Sequence, residues 1–124
     1  MVSQGRAQRV AQRIQEELSE LLLFEVTDPR LEAIFVTRVR VDRELAYANV
    51  FVSALEGFER KDEILDGLEH AKGFLRSQLA QRVDLRSFPH LRFHWDASPE
   101  QAARIDELLA SLHDEQDGDA GEDE

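Results

Sequence analysis

One apolar stripe near the middle of the chain limits its possible folds more than any other feature. Apolar residues recur there at intervals of three or four, as one continuous helix face requires, at Ile64, Leu68, Ala71, Leu75 and Leu79. Gly73 lies within this stripe, where a glycine costs about 1 kcal/mol relative to alanine. The segment therefore predicts two short helices that meet at a kink and share one buried face.

Further helices and strands are predicted on both sides of this segment. A first helix from about residue 6 to residue 26 carries its own stripe, and the proline of Thr27-Asp28-Pro29 ends it. Residues 34–41 and 45–53 are rich in β-branched residues and predict a hairpin, and residues 91–95 predict a third strand. Ser98-Pro99 begins a last helix that ends near His113. We expect a three-stranded sheet with helices on one face, which would bury every apolar stripe.

The second hairpin strand alternates between two candidate inner faces. One face carries Ala46, Ala48, Val50 and Val52, and the other carries Tyr47, Asn49 and Phe51. The sequence leaves open which is buried, although the small alanines favour a helix packed closely over the first. We interpret a set of four aromatic residues as core rather than as base-stacking groups: Tyr47, Phe51, Phe93 and Trp95. We interpret Arg38, Arg40 and Arg43 as a solvated strand face.

Charge is distributed unevenly along the chain. The net charge is −11, but residues 114–124 hold seven acidic residues and no basic one, and the rest of the chain carries only −4. The global charge therefore does not exclude RNA binding, which needs only a local basic face. We predict a domain over residues 1–113 and a disordered acidic tail over residues 114–124, which solubilises the protein, repels RNA or contacts a basic protein.

Several classes of protein are disfavoured by what the sequence lacks. It contains no cysteine, no apolar run of membrane-spanning length and no secretory signal, which predicts a cytoplasmic protein without disulfides. His90 and His94 lack a third ligand at suitable spacing, so no metal site is expected. No nucleophile elbow, phosphate-binding loop or dinucleotide fingerprint occurs. We therefore expect no enzyme activity, no cofactor and no small-molecule substrate.

Four short motifs occur in a characteristic order. They are R-x-x-R-V-A (Arg6 to Ala11), D-P-R-L (Asp28 to Leu31), L-A-Y-A-x-V-x-V (Leu45 to Val52) and A-x-G followed by F-L-R (Ala71 to Arg76). Over about residues 5–112 this order resembles the type II K-homology fold and, more closely, the ribosome-binding factor A family. The G-x-x-G loop with which K-homology domains clamp the nucleic-acid backbone is absent, and the A-x-G kink stands in its place.

This resemblance implies an α+β domain of element order α-β-β-α-kink-α-β-α and a function in ribosome assembly. It implies a monomer that binds the 30S subunit and 16S rRNA, and that promotes late 30S maturation and 16S rRNA 5′ end processing, including at low temperature. A protein-interaction adaptor that binds only a protein partner is the alternative.

Two groups of residues, most of them cationic, are the candidate RNA contacts. The first surrounds the predicted kink, where a break would expose backbone N–H groups: Ala71, Lys72, Gly73, Arg76, Arg82 and Arg86. The second is a stripe on the first helix, at Arg6, Arg9 and Arg13. The alternative interpretation is that these are ordinary solvated helix charges.

Overall fold

Over the residues that the structure describes, the fold is an α+β domain in which three α-helices accompany one sheet. The computed structural model describes the backbone of residues 4–122 and the side-chain surroundings of residues 5–112. Its main elements are α1 (Gln4–Phe24), β1 (Ile34–Val41), β2 (Tyr47–Ala54), α2 (Lys61–Arg82), β3 (His90–Trp95) and α3 (Ser98–Glu122). Short 3-10 helices lie before β1, at Pro29–Leu31, and before α2, at Gly57–Arg60.

The sheet has strand order β1-β2-β3. Strands β1 and β2 form the predicted antiparallel hairpin, and β3 pairs in parallel with β2. Asp42 shapes the hairpin turn, because its carboxylate accepts hydrogen bonds from the backbone N–H groups of Ala46 and Tyr47, both at 2.8 Å. A β-bulge interrupts the pairing at Thr37, between Val36 and Arg38. The predicted strands are thus confirmed with small shifts at their ends.

Helices α1 and α2 cover one face of the sheet and form the core with it. Ile14, Leu18 and Leu21 of α1 are fully buried, as are the large apolar residues of the α2 stripe, Ile64, Leu68, Leu75 and Leu79. Beneath them Ala48, Val50 and Val52 of β2 are also fully buried. The alanine face of the second hairpin strand is therefore the inner one, and the absence of a bulky side chain at Ala48 allows the helices to approach closely.

The predicted division of the middle segment into two short helices is wrong. Helix α2 is continuous from Lys61 to Arg82 through Gly73. Fully buried residues on both sides of the glycine, Leu68 and Leu75, hold the two halves in one register against the sheet. Burial of one leucine is worth about 1.5–3 kcal/mol, which exceeds the glycine penalty of about 1 kcal/mol. The backbone N–H groups after Gly73 are therefore used within the helix and form no anion site.

The predicted burial of the last helix is also wrong. The apolar residues of α3 are exposed by more than half, namely Ile105, Leu108, Leu109 and Leu112. The sheet has one helix-covered face, and α1 and α2 already fill it, so no room remains there for a third stripe. The helical backbone of α3 continues past His113 into the acidic segment. The side chains of residues 113–124 lie outside the described residues, and the disorder of the tail stays a prediction.

The D-P-R-L motif forms the corner between α1 and β1. The Asp28 carboxylate accepts a hydrogen bond from the Arg30 N–H at 2.9 Å and pairs with its guanidinium at 2.7 Å. These bonds from Arg30 lower the pKa of Asp28. Leu31 is buried against Gly67 of α2, where an added Cβ would lie 3.0 Å from the leucine Cδ2. The motif therefore shapes the corner through Asp28 and packs against α2 through Leu31.

Candidate nucleic-acid interface

The cationic residues predicted beside Gly73 lie on the outer surface of α2. Gly73 itself is exposed, and an added Cβ would have no atom within 4 Å. Lys72 pairs with Glu69 at 2.8 Å, and its Nζ lies 5.9 Å from the ring centre of Phe93. Ala71 is half-buried against the core. The A-x-G segment thus offers one cation and open space, without a break in the helix.

Arg76 is used inside the fold. Its Nε donates to the Pro89 carbonyl at 3.1 Å, and one Nη donates to the Phe88 carbonyl at 2.6 Å. Phe88 and Pro89 are buried residues that lead into β3. The arginine therefore satisfies carbonyls that would otherwise be buried without a partner, and it fixes the start of β3 against α2.

Arg82 and Arg13 belong to one ion-pair cluster between α2 and α1. The Arg82 guanidinium lies 3.3 Å from Glu17 and 2.7 Å from Glu25. Desolvation opposes the charge of Arg82, but the two carboxylates outweigh it and raise its pKa. Arg13 pairs with Glu17 at 2.7 Å and lies close to the Arg82 carbonyl. Both arginines thus have carboxylate partners within the molecule.

A groove at one end of the domain joins members of the two predicted groups. We call it the terminal groove, and it is lined by residues that include Arg6, Leu45, Ala46, Leu85, Arg86 and His90, with Glu44 as an acidic member. Arg9 is exposed one helical turn after Arg6. Arg86 is exposed and has no charged or hydrogen-bonded partner among the residues that the structure describes. The fold therefore brings Arg6 and Arg86 together, whereas Lys72 lies about 15 Å from Arg82 along α2.

A second basic surface contains Arg38 and Arg40, which are exposed on a strand face as the sequence predicted. The sheet face opposite α1 and α2, here called the open sheet face, carries Arg38, Arg40, Tyr47, Asn49, Phe51, His90, Arg92 and His94. The residues that alternate with them along the strands face the helices and belong to the core, among them Val39, Val50 and Leu91. None of these open-face residues is acidic. His90 belongs both to this face and to the terminal groove, so the two surfaces are continuous.

Aromatic rings and planar cations are stacked on the open sheet face. Arg38 lies over the Phe51 ring at 4.3 Å, and Arg92 lies over the Tyr47 ring at 3.6 Å. His94 stacks on Phe51 with ring centres 5.0 Å apart, and its Nε2 lies 2.8 Å from Asn49 Oδ1, which accepts the hydrogen bond. The interpretation of Tyr47 and Phe51 as core residues is therefore wrong, because the alanine face of β2 is the inner one.

Phe93 and Trp95 fulfil the core interpretation that Tyr47 and Phe51 do not. Both are half-buried and pack against the apolar cluster. The missed signal was the hairpin register: once the alanine face is placed inside, the two-residue period sets Tyr47 and Phe51 beside Arg38 and Arg40.

Membrane-spanning helices are not found among the described residues. The observed architecture is that of a K-homology-like α+β domain of type II, with helices on one sheet face and cations at one end and on the other face. A sequence model of the ribosome-binding factor A family matches residues 6–109. The chain belongs to the ribosome-binding factor A family.

Individual relatives agree with this assignment. Ribosome-binding factor A of Aromatoleum aromaticum is 44% identical over 105 residues, which cover 85% of this chain and 83% of the relative. The solution structure of a Thermotoga maritima protein proposed to be a ribosome-binding factor A matches with a TM-score of 0.65 and 33% identity, over 76% of this chain and 90% of that one. A Thermus thermophilus homology model, fitted into the cryo-EM map of a 30S complex of that factor, matches with a TM-score of 0.57 and 30% identity, over 78% and 99%.

Proposed function

We propose that the chain is a non-enzymatic assembly factor that binds the 30S subunit through 16S rRNA. It acts in late 30S maturation and in 5′ end processing of 16S rRNA, including at low temperature, as a cytoplasmic monomer. The observation that carries the proposal is a grouping of exposed arginines in an acidic protein: Arg6 and Arg86 line the terminal groove, and Arg9 lies one helical turn after Arg6. The fit of the Thermus thermophilus relative into a 30S complex supports the same partner.

The proposed RNA contacts divide by their place in the fold. Arg6, Arg9 and Arg86 are exposed and are proposed to meet phosphates directly, as is Lys72, which pairs with Glu69 beside the open space at Gly73. Arg13, Arg76 and Arg82 already bind partners within the molecule. A guanidinium has five N–H donors, so these three can still contribute charge. Their first role is to hold α1, α2 and β3 in place around the direct contacts, with Ala71 packed beneath.

Cosedimentation with purified 30S subunits at several salt concentrations tests the proposal. Association should weaken as salt rises, because phosphate contacts release counterions. The double variant Arg9→Glu with Arg86→Glu should lose about tenfold or more in affinity, since it removes two cations and adds two anions at one site. Arg104→Glu, an exposed charge reversal on α3, is the matched control and should bind as the parent does. Equal losses for both variants would contradict the placement of the site.

The exposed stripe on α3 favours a second candidate function, a protein-interaction adaptor. Ile105, Leu108, Leu109 and Leu112 present an apolar surface beside the acidic residues Asp106 and Glu107. Such a surface suits a protein partner better than RNA. This candidate predicts that naked 16S rRNA does not retain the protein even at low salt, whereas the assembly-factor proposal predicts salt-sensitive retention.

A further inference from the structure

We propose that the open sheet face binds single-stranded RNA by stacking unpaired bases on two platforms of rings and guanidinium groups. This inference rests on the proposed function, because it extends the RNA-binding surface from the terminal groove onto a face to which no role is assigned. One platform consists of Tyr47, His90 and Arg92, and the other of Phe51, His94 and Arg38.

Each platform consists of flat groups whose outer side is accessible. Arg92 lies 3.6 Å from the ring centre of Tyr47, and Arg38 lies 4.3 Å from that of Phe51. Both arginines are exposed, and Tyr47 is 38% exposed. Bases stack on aromatic rings and on guanidinium planes alike. A base can therefore lie on the guanidinium, or displace it towards a phosphate and lie on the ring.

The charge of the face suits a polyanion. Arg38, Arg40 and Arg92 lie on it, and the two carboxylates at its ends are occupied within the fold. The Asp42 carboxylate accepts bonds from the hairpin turn, and the Asp96 carboxylate accepts bonds from the Thr37 hydroxyl and the Ser98 N–H. In a chain of net charge −11, these cations mark a local positive surface that attracts phosphates.

The shape of the face selects a single strand over other occupants. Bases in a duplex are stacked on one another, so their planes are not available to a flat sheet. A second copy of this chain, related by a two-fold axis, would set the same arginines against one another. Tyr47 and Phe51 are four residues apart on β2, about 13 Å, so the platforms hold two different bases. His90 links the face to the terminal groove, and one RNA strand can follow both.

A short single-stranded RNA that carries the fluorescent base 2-aminopurine tests this inference directly. Stacking on a platform quenches the base, and binding to the unmodified protein should show this quenching. The double variant Tyr47→Leu with Phe51→Leu keeps apolar bulk but removes both aromatic planes. It should lose the quenching and bind roughly tenfold or more weakly. Phe58→Leu is the matched control, because Phe58 is 61% exposed and has Lys61 over its ring at 5.3 Å, off the sheet face.

A second arm keeps the test decisive even if the double variant unfolds. The unmodified protein is titrated with the same oligonucleotide made abasic at its central positions, which keeps the phosphates and removes the bases. Binding at least fivefold weaker supports stacking. Equal binding of the abasic and the unmodified oligonucleotide overturns the inference, as does a double variant that quenches and binds like the unmodified protein. The open sheet face would then attract phosphates only or bind a protein partner. Failure of the unmodified protein to cosediment with 30S subunits would instead contradict the proposed function.

Discussion

At the scale of single residues, the partners of each arginine decide whether it serves the fold or is available to a ligand. Arg76 donates to the carbonyls of two buried residues, whereas Arg86 projects from the loop after α2 into solvent. The sequence places both in one basic run and cannot separate them, because their difference depends on contacts with residues 88–89 that the helix period does not reveal. Substitution by glutamine should therefore lower stability at Arg76 and RNA association at Arg86.

Arg76→Gln should destabilise the fold, and Arg86→Gln should not. The first change leaves the Phe88 and Pro89 carbonyls without their donor, which costs about 2 kcal/mol. The second removes an exposed charge and should shift stability by less than about 0.5 kcal/mol, while it weakens association with 30S subunits. Urea denaturation followed by circular dichroism measures the first quantity, and cosedimentation the second. Equal stabilities of the two variants would refute the division of roles.

Asp96 should make the stability of the fold dependent on acid pH. The Thr37 hydroxyl and the Ser98 N–H hold the pKa of the Asp96 carboxyl below its ordinary value of 3.8. A depressed pKa stabilises the folded state above the unfolded value, and this stabilisation is lost as the pH falls through the folded value. Asp96→Asn should therefore be less stable than the parent at pH 7, by about 1 kcal/mol.

The difference in stability between the two proteins should begin to shrink below about pH 4 and should vanish as the pH falls through the lowered pKa of the folded carboxyl. Thermal unfolding at pH 7, 5 and 3 provides the comparison. Glu107→Gln, at an exposed position on α3, should follow the parent at every pH. A constant gap between the parent and Asp96→Asn from pH 7 to pH 3 would show that the carboxylate charge is not the cause.

At the scale of elements, the helix period and the strand period of the sequence predict most of the fold. The stripes of α1 and α2 are buried as their spacing requires, and the β-branched runs form the hairpin. Periodicity identifies an apolar face but not what covers it, so the exposure of α3 could not be predicted. It also cannot weigh a local glycine penalty against packing on both sides of Gly73, which is why two short helices were wrongly expected there.

Helix α2 contains two glycines that should respond to alanine in opposite ways. At Gly73 the added methyl meets no atom within 4 Å, so Gly73→Ala should stabilise the fold by about 1 kcal/mol through helix propensity. At Gly67 the methyl would lie 3.0 Å from Leu31 Cδ2 and 3.2 Å from Arg30 Cβ. Gly67→Ala should therefore destabilise by about 1–3 kcal/mol through overpacking.

Urea denaturation midpoints of the two variants and the parent provide the measurement. Each alanine is the control of the other, because the helix and the substitution are the same. If RNA contacts the open space at Gly73, as proposed, the added methyl group obstructs it. Gly73→Ala should then bind 30S subunits more weakly than the parent despite its greater stability. Stabilisation by both alanines would contradict the close packing of Gly67 on the D-P-R-L corner.

At the scale of the whole molecule, opposite charges are placed at different parts of one small domain. Arginines gather at the terminal groove and on the open sheet face, whereas acidic residues fill the end of the chain. The net charge of −11 does not reveal this arrangement. From the sequence alone only a basic N-terminal stretch and an acidic C-terminal stretch could be recognised. The gathering on the sheet face depends on the pairing of three strands, and β3 reaches β2 only through α2.

Removal of residues 114–124 should change the affinity for RNA without changing the stability of the domain. The described side chains of α3 from residue 101 onward are all exposed, so the truncated protein should unfold within about 0.5 kcal/mol of the parent. Its net charge rises from −11 to −4, because seven acidic residues leave. Nonspecific affinity for single-stranded RNA should therefore increase at low salt. The difference in affinity between the truncated protein and the parent should shrink at roughly 0.3 M salt, because salt screens the charge of the tail.

A chain in which the seven acidic residues become Asn or Gln keeps the length and should behave as the truncation does. An unchanged RNA affinity in both would show that the tail does not repel RNA and would favour its action as a solubilising segment or as a contact for a basic protein.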